Sequence, residues 1–225
     1  VSQYRDLGYL PDSLVNYLAL LGWSPESDEE ILSREELIRQ FSIERVSKSS
    51  AIFDVTKLNW LCGHYIRESE LDKISALALP YYQQAGYVSG QPSPEERDHL
   101  KLIVNTARRY VSSLSDIPVH SRVFFESEFS YEDQAQTLLK EPVAKVVIEA
   151  FRDVLHDIEE VTTENCRQLF KDIGKRSNVK GKNLYMAIRV SITGTVHGPE
   201  LDEILLILGK AETLKRVERT LGQML

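Results

Sequence analysis

Only two cysteines, Cys62 and Cys166, occur in 225 residues, and neither sits in a CxxC pair. That excludes a disulfide framework and the usual cysteine-based zinc spacings; free thiols in a reducing cytoplasm are expected. The five histidines (His64, His99, His120, His156, His197) share no ligand spacing, so core or surface roles are expected and no metal site. No Ser/His/Asp or Cys/His set can be defended, which leaves a free-standing hydrolase without a nucleophile. Acidic pairs such as Glu159–Glu160 read as helix faces rather than acid–base couples. No run approaches the ~18 apolar residues that a membrane span needs, and no signal peptide is visible. Alternating strands and internal repeats of 20–50 residues are also missing.

What is present is enough apolar material for a core: 42% of residues are hydrophobic, which argues against disorder. The formal net charge is −7, unevenly spread. Residues 1–70 carry 7 Lys/Arg against 12 Asp/Glu (net −5), residues 71–170 carry 10 against 16 (net −6), and residues 171–225 carry 10 against 6 (net +4). A polyanion would be met mainly by the last part. The sequence opens on Val1 and reads as mid-sequence, so a fragment or processed piece is expected.

Helical signals follow one another along the chain. Pro11 and Asp12 open a helix with Leu14, Val15, Tyr17, Leu18, Leu20 and Leu21 on a broad face, closed by Gly22. Ser33 with Glu36 fits a capping box. Asp54 fits an N-cap for a helix whose buried stripe is Leu58, Leu61 and Tyr65; Trp60, like Trp23, is expected in the core. LDKISALALPYYQQAG reads as a helix that Pro80 kinks or restarts. Pro94 with Glu95 and Glu96 opens a long helix ending at Arg108, Arg109 and Tyr110. SRVFFESEFSYEDQ reads as an aromatic-rich connection. Three further helices are expected, Gln134–Lys140, Val143–Ile158 and Thr163–Ile173, then a basic cluster, KDIGKRSNVKGKN, and a last helix over Ala211–Leu221. The fold class is all-α: about ten to twelve short helices in more than one bundle.

The most informative stretch is MAIRVSITGTVHGPELDEILLILGK, Met186–Lys210. Met186–Ile192 is apolar and β-branched around one cation, Arg189. It has helical neighbours and is read as helix. TGTVHGP is a loop. Leu201, Ile204, Leu205 and Leu208 have helical spacing, acids fill the first turn of that helix, and Gly209 ends it. A glycine loop beside a guanidinium can meet a flat or anionic ligand, with Arg189 offering a planar charged face. The same residues also suit a plain surface loop with Arg189 in a local ion pair.

Three separated stretches, VSQYRDLGYLPDSLVNYLALLGWS, FDVTKLNWLCGHYIRE and IRVSITGTVHGPELDEILLILGK with RVER, occur in order. Together they resemble the carboxyl-terminal half of bacterial glutamyl-tRNA synthetases, over essentially the whole chain. The resemblance implies an α-helix cage: the end of a stem-contact domain over 1–70, one anticodon-binding subdomain over 71–130 and a second over 131–225. In that family VSQYRDLGYLP follows the lysine-rich signature loop of a class I catalytic domain. ATP and Mg would belong to that absent domain, with no cofactor in these residues. The implied partners are glutamate tRNA and, where third-base reading is relaxed, glutamine tRNA, with no DNA and no membrane, for a cytoplasmic monomer.

The family's anticodon contacts fall on Arg189 and Leu201, around the first base, and on Gly198 and Pro199, at the middle base. Some members carry Thr where Gly198 stands, so a backbone contact is expected there. For the third base, members that accept only glutamate tRNA use an arginine; here the position falls on Tyr110, with Arg108 and Arg109 beside it. Tyrosine stacks on any base but lacks the bidentate charged contact. That implies relaxed reading, whereas a register shifted by one, with Arg109 in the role, implies strict reading. Lys175, Arg176, Lys180 and Lys182 suit tRNA phosphates or a solvated charged loop. The competing class is an α-helical protein–protein interaction module, which the acidic first 170 residues suit.

Overall fold

A computed structural model describes residues 2–26, 29–47 and 51–224. Among them twelve α-helices and two 3-10 turns occur, with no β-strand and one isolated bridge, Trp23 to Val46. The all-α expectation holds. Backbone contacts divide the chain into two compact units, Val1–Ser121 and Arg122–Leu225. The sequence reading separates residues at 70 and 130; here 1–70 and 71–121 share one unit, and the second unit begins at 122.

The first unit contains α1 (Ser2–Asp6), α2 (Pro11–Leu20), α3 (Arg34–Gln40), α4 (Val55–Glu68), α5 (Leu71–Gln84) and α6 (Pro94–Ala107). A 3-10 turn, Leu114–Asp116, leads into α7 (Ile117–Phe125), whose first half ends the unit. Local chemistry sets the helix starts. Ser33 and Glu36 form the expected capping box, Ser93 and Glu96 form another, and Asp54 accepts from the amides of Thr56 and Lys57. Pro80 lies inside a continuous α5. Trp23 is buried, but Trp60 is 49% exposed. It lies off the Leu58–Leu61 stripe and lines an open pocket with Glu29, Glu30, Ile31 and His64.

α7 is the main departure in this region, helical through Phe125 where a connection is expected. Pro118 falls in its first turn, where a missing N–H costs nothing. Ile117, Pro118 and Ser121 are buried in one helical stripe.

The second unit contains the end of α7, α8 (Asp133–Leu139), α9 (Pro142–Asp157), α10 (Thr163–Ser177), α11 (Lys182–Thr193) and α12 (Leu201–Gln223). Met186–Ile192 is helical, as read. Gly209 interrupts α12 at φ 68, ψ 174, so its two halves are separate helical segments, and the expected stop at Gly209 is real. The core joins α9, α10, α11 and both halves of α12 through residues such as Ile148, Phe151, Leu169, Ile188, Leu205 and Val217. Both cysteines are buried and free. Burial, with Asp202 nearby, pushes the Cys166 thiol up to about 11.

Arg216, in the second half of α12, is 1% exposed. Its Nη1 donates to the carbonyls of Val123 (2.8 Å) and Ile192 (2.9 Å), its Nη2 to the Glu126 carbonyl (3.0 Å), and its Nε to Glu212 Oε1 (2.8 Å). Val123 and Ile192 lie in the last turns of α7 and α11, where helix carbonyls lack intrahelical partners. One guanidinium therefore closes two helix C-termini. Burial raises the Glu212 carboxyl, but hydrogen bonds from Arg216 and Ser127 outweigh it and leave the group below the usual carboxylate range. Arg219 continues the pattern, with Nη1 on the Ser127 carbonyl and Nη2 on the Phe129 carbonyl, both at 3.0 Å.

Arg216→Lys keeps the charge but loses the fork that reaches three carbonyls. We expect a loss of about 3 kcal/mol in unfolding free energy, since buried acceptors are left without donors. Urea denaturation followed by circular dichroism measures this; a wild-type midpoint would show that Arg216 is not a keystone.

Candidate nucleic-acid interface

The second unit brings Arg189 and Gly198 together. α11 ends at Gly194, which is left-handed (φ 74) and donates to the Val190 carbonyl. Gly194 is irreplaceable on two counts: its φ, and a Cβ there would lie 2.5 Å from the Ser130 carbonyl oxygen and 2.6 Å from the Phe129 ring. Its own carbonyl accepts from the Glu132 amide. The loop then folds back on itself. Thr193 Oγ1 donates to the Arg189 carbonyl at 2.8 Å and accepts from the Thr195 amide, and Thr195 Oγ1 donates to the His197 carbonyl. Gly198 (φ 137) is exposed, and a Cβ built on it would stand 3.4 Å from Arg189 Nη1. Pro199 is half-buried, and Leu201 is buried at the start of α12.

Arg189 itself is 9% exposed. It is not the open guanidinium face that its sequence context suggests. Its Nη1, the atom nearest Gly198, is itself buried, so the surface at this point is the exposed Gly198 backbone lying over the guanidinium. A bulkier residue at 198 would need an unfavourable φ and would crowd that guanidinium.

In the first unit, Arg108, Arg109 and Tyr110 follow α6 but face different tasks. Arg108 is half-buried and its Nη1 donates to the Ser69 carbonyl at 2.8 Å, tying the end of α6 to the end of α4. Arg109 is exposed, with Nε directed at the Thr106 carbonyl (3.4 Å) and its guanidinium carbon 5.8 Å from the Tyr110 ring centroid. Tyr110 is 45% exposed. Its ring lies nearly parallel to that of His120, at 16° and 6.3 Å between centroids. His120 carried no signal in the sequence beyond being one histidine among five; only the turn between Tyr110 and α7 reveals the pairing.

The basic cluster is partly occupied. Lys175 pairs with Asp172 at 3.3 Å and Arg176 with Asp157 at 2.9 Å. Both cations lie in the last turn of α10, where they oppose the helix dipole favourably. Lys180 and Lys182 are exposed, and no ion pair involves them among the described residues. Lys182 begins α11 and Arg189 lies in its last turns, about 10 Å apart along the axis at 1.5 Å per residue. The cluster and the Arg189 edge are therefore separate features of one helix. Among the described residues no three His, Cys, Asp or Glu side chains gather as a metal site.

Two family models match the chain. The anticodon binding domain model covers residues 73–221, and the catalytic domain model of class I tRNA synthetases (E and Q) covers residues 1–60. Among curated relatives, the glutamate–tRNA ligase of Carboxydothermus hydrogenoformans is 45% identical over 217 residues, 96% of this chain and 45% of that protein. That of Geobacillus stearothermophilus is 40% identical over 99% of this chain and 46% of its own length. That of Bacillus subtilis is 36% identical over 97% and 45%. The chain thus spans about half the length of the curated relatives it matches. A crystal structure of a glutamate tRNA ligase from Elizabethkingia meningosepticum superposes with a TM-score of 0.86 at 23% identity, over 99% of this chain and 43% of that one; it supports the fold. With two thirds of its length inside the first of these models, the chain belongs to the anticodon-binding domain family.

Proposed function

We propose that this chain is the tRNA-binding end of an ATP-dependent glutamate–tRNA ligase, acting in protein synthesis. The observation that carries the reading is the exposed Gly198 backbone lying over the buried Arg189 guanidinium, inside the span of the anticodon binding domain model. Arg189 and Leu201 would enclose the first anticodon base, and the Gly198–Pro199 backbone would meet the second. Tyr110, with Arg109, would meet the third, while Arg108 holds α6 to α4. Lys180 and Lys182 are the members of the basic cluster best placed to meet phosphates, because Lys175 and Arg176 already have carboxylate partners. The partner would be glutamate tRNA, in the cytoplasm, with the protein as a monomer. No helix among the described residues is long and apolar enough to cross a membrane.

ATP and Mg would serve glutamate activation in the part of the catalytic domain outside these residues. Residues 1–60, the stretch that matches the catalytic domain model, carry an unusual surface. Of the seventeen large apolar or aromatic side chains exposed among the described residues, eleven lie here, including Val15, Leu18, Ile38 (74%) and Ile43 (76%). Only Trp23, Leu32 and Leu37 form the buried cluster beneath α3. Such a surface calls for cover, and the remainder of the catalytic domain is the proposed cover. Within the rest, the stem-contact role is proposed for residues up to 70, with anticodon-binding subdomains over 71–130 and 131–225.

Three outcomes test this reading. Arg189→Ala should weaken tRNA binding by roughly 1–3 kcal/mol, read by gel shift against glutamate tRNA; intact binding refutes the role. Tyr110 in the third-base position predicts that the ligase charges both glutamate and glutamine tRNAs. Strict refusal of the glutamine tRNA in a charging assay sinks that part and favours Arg109 as the reader. Finally, Ile38→Asp with Ile43→Asp should lower the melting temperature of the longer ligase by several degrees, because burying two charges without partners is costly. An unchanged melting temperature would leave the apolar surface uncovered by the catalytic domain and open to another protein.

A further inference from the structure

We propose that His120 is a positioning residue for third-base reading: it stacks against Tyr110 and fixes the aromatic plane that the base meets. This rests on the reading that Tyr110 faces the anticodon loop. The two rings come from different elements, the turn after α6 and the helix α7, and lie 16° from parallel with centroids 6.3 Å apart. That falls in the range of offset stacking. Both residues are exposed, so burial in a core does not account for the pairing. An exposed tyrosine on a turn ordinarily keeps its rotamer freedom, which binding would then have to remove. A ring already held by a neighbour avoids that loss.

The backbone between the two rings is built to hold them in register. Val111, Leu114 and Ile117 are buried. Asp116 Oδ2 accepts from the amides of Ser112 (3.2 Å) and Ser113 (2.9 Å). Leu114 N donates to the Gly8 carbonyl at 2.9 Å, and Ser115 Oγ to the Leu7 carbonyl at 2.8 Å. Two glycines press on the turn: a Cβ at Gly8 would lie 2.4 Å from Ser115 N, and one at Gly63 would lie 2.9 Å from the Val111 carbonyl oxygen. On the far side Ser121, next to His120, shares a 2.7 Å hydrogen bond with Tyr82. So Tyr110 and His120 are the exposed ends of a clamped turn. Arg109, 5.8 Å from the Tyr110 centroid, adds its cation to the same surface.

The stack gives a ring face and no hydrogen-bond code, so its contribution should not depend on which base is third. The test uses the full polypeptide that carries these residues and glutamate tRNA transcripts varied at the third anticodon base. His120→Ala should weaken binding about three- to tenfold for every transcript, the range for a lost aromatic pair. His120→Phe should restore it, and the unfolding midpoint should stay at the wild-type value. Tyr110→Ala with His120→Ala should lose little more than Tyr110→Ala alone, because the two act as one unit. Wild-type affinity in His120→Ala, alongside weakened Tyr110→Ala, overturns the inference and leaves the tRNA reading intact. Failure of His120→Phe to restore binding also overturns it, since the ring nitrogens rather than the ring face would then matter. If Tyr110→Ala, Arg189→Ala and His120→Ala all bind like wild type, the tRNA reading falls and this inference with it.

Discussion

The second unit depends on a buried cation whose partners are mostly neutral. Arg216 draws the carbonyl ends of α7 and α11 onto one guanidinium, with Glu212 as its one carboxylate partner among the described residues. Fixing those two ends has consequences for the loop that follows α11. Thr220, one turn further along α12, donates to the Ser191 carbonyl at 2.7 Å and shares a hydrogen bond with Tyr131. The Phe129 ring lies under both Arg216 (5.5 Å) and Arg219 (5.1 Å), where cation–π attraction adds to packing. Gly194 then rests on the Phe129 ring and the Ser130 carbonyl with no room for a side chain. The glycine loop is thus held at its root by the second half of α12, although the loop itself precedes that helix.

This division of labour separates two uses of arginine. Arg216 and Arg219 spend their donors on main-chain carbonyls, and Arg108 does the same at Ser69. Arg109 remains on the surface beside an aromatic ring. Arg189 stands between these cases: largely buried, with its edge reaching exposed Gly198. The first 170 residues are net acidic, so a diffuse field from them would repel a polyanion.

The first unit uses glycines for a comparable purpose. Gly8 and Gly63 belong to two stretches of the sequence that stand out as motifs. Both allow the turn at 111–116 to approach closely, and that turn sets Tyr110 and His120 side by side. The role of such residues is to position, at a distance, the side chains that meet solvent.

Much was legible in one dimension because it is local. The boxes at Ser33–Glu36, the cap at Asp54, the break at Gly209 and the helical character of Met186–Ile192 each follow from residues within one or two turns of each other. Amphipathic spacing marked Leu201, Ile204 and Leu205 as core, and they are buried. Tertiary structure alone decided that Trp60 lies outside the core, that α7 continues through Phe125, and that Lys175 and Arg176 are already paired. It alone withdrew Arg189 from solvent, gave Arg216 its three carbonyls and set His120 against Tyr110. Periodicity reports which face of a helix is apolar; it does not report which carbonyls or rings from distant elements arrive beside a given side chain, and those arrivals fix what a charged or aromatic residue can do.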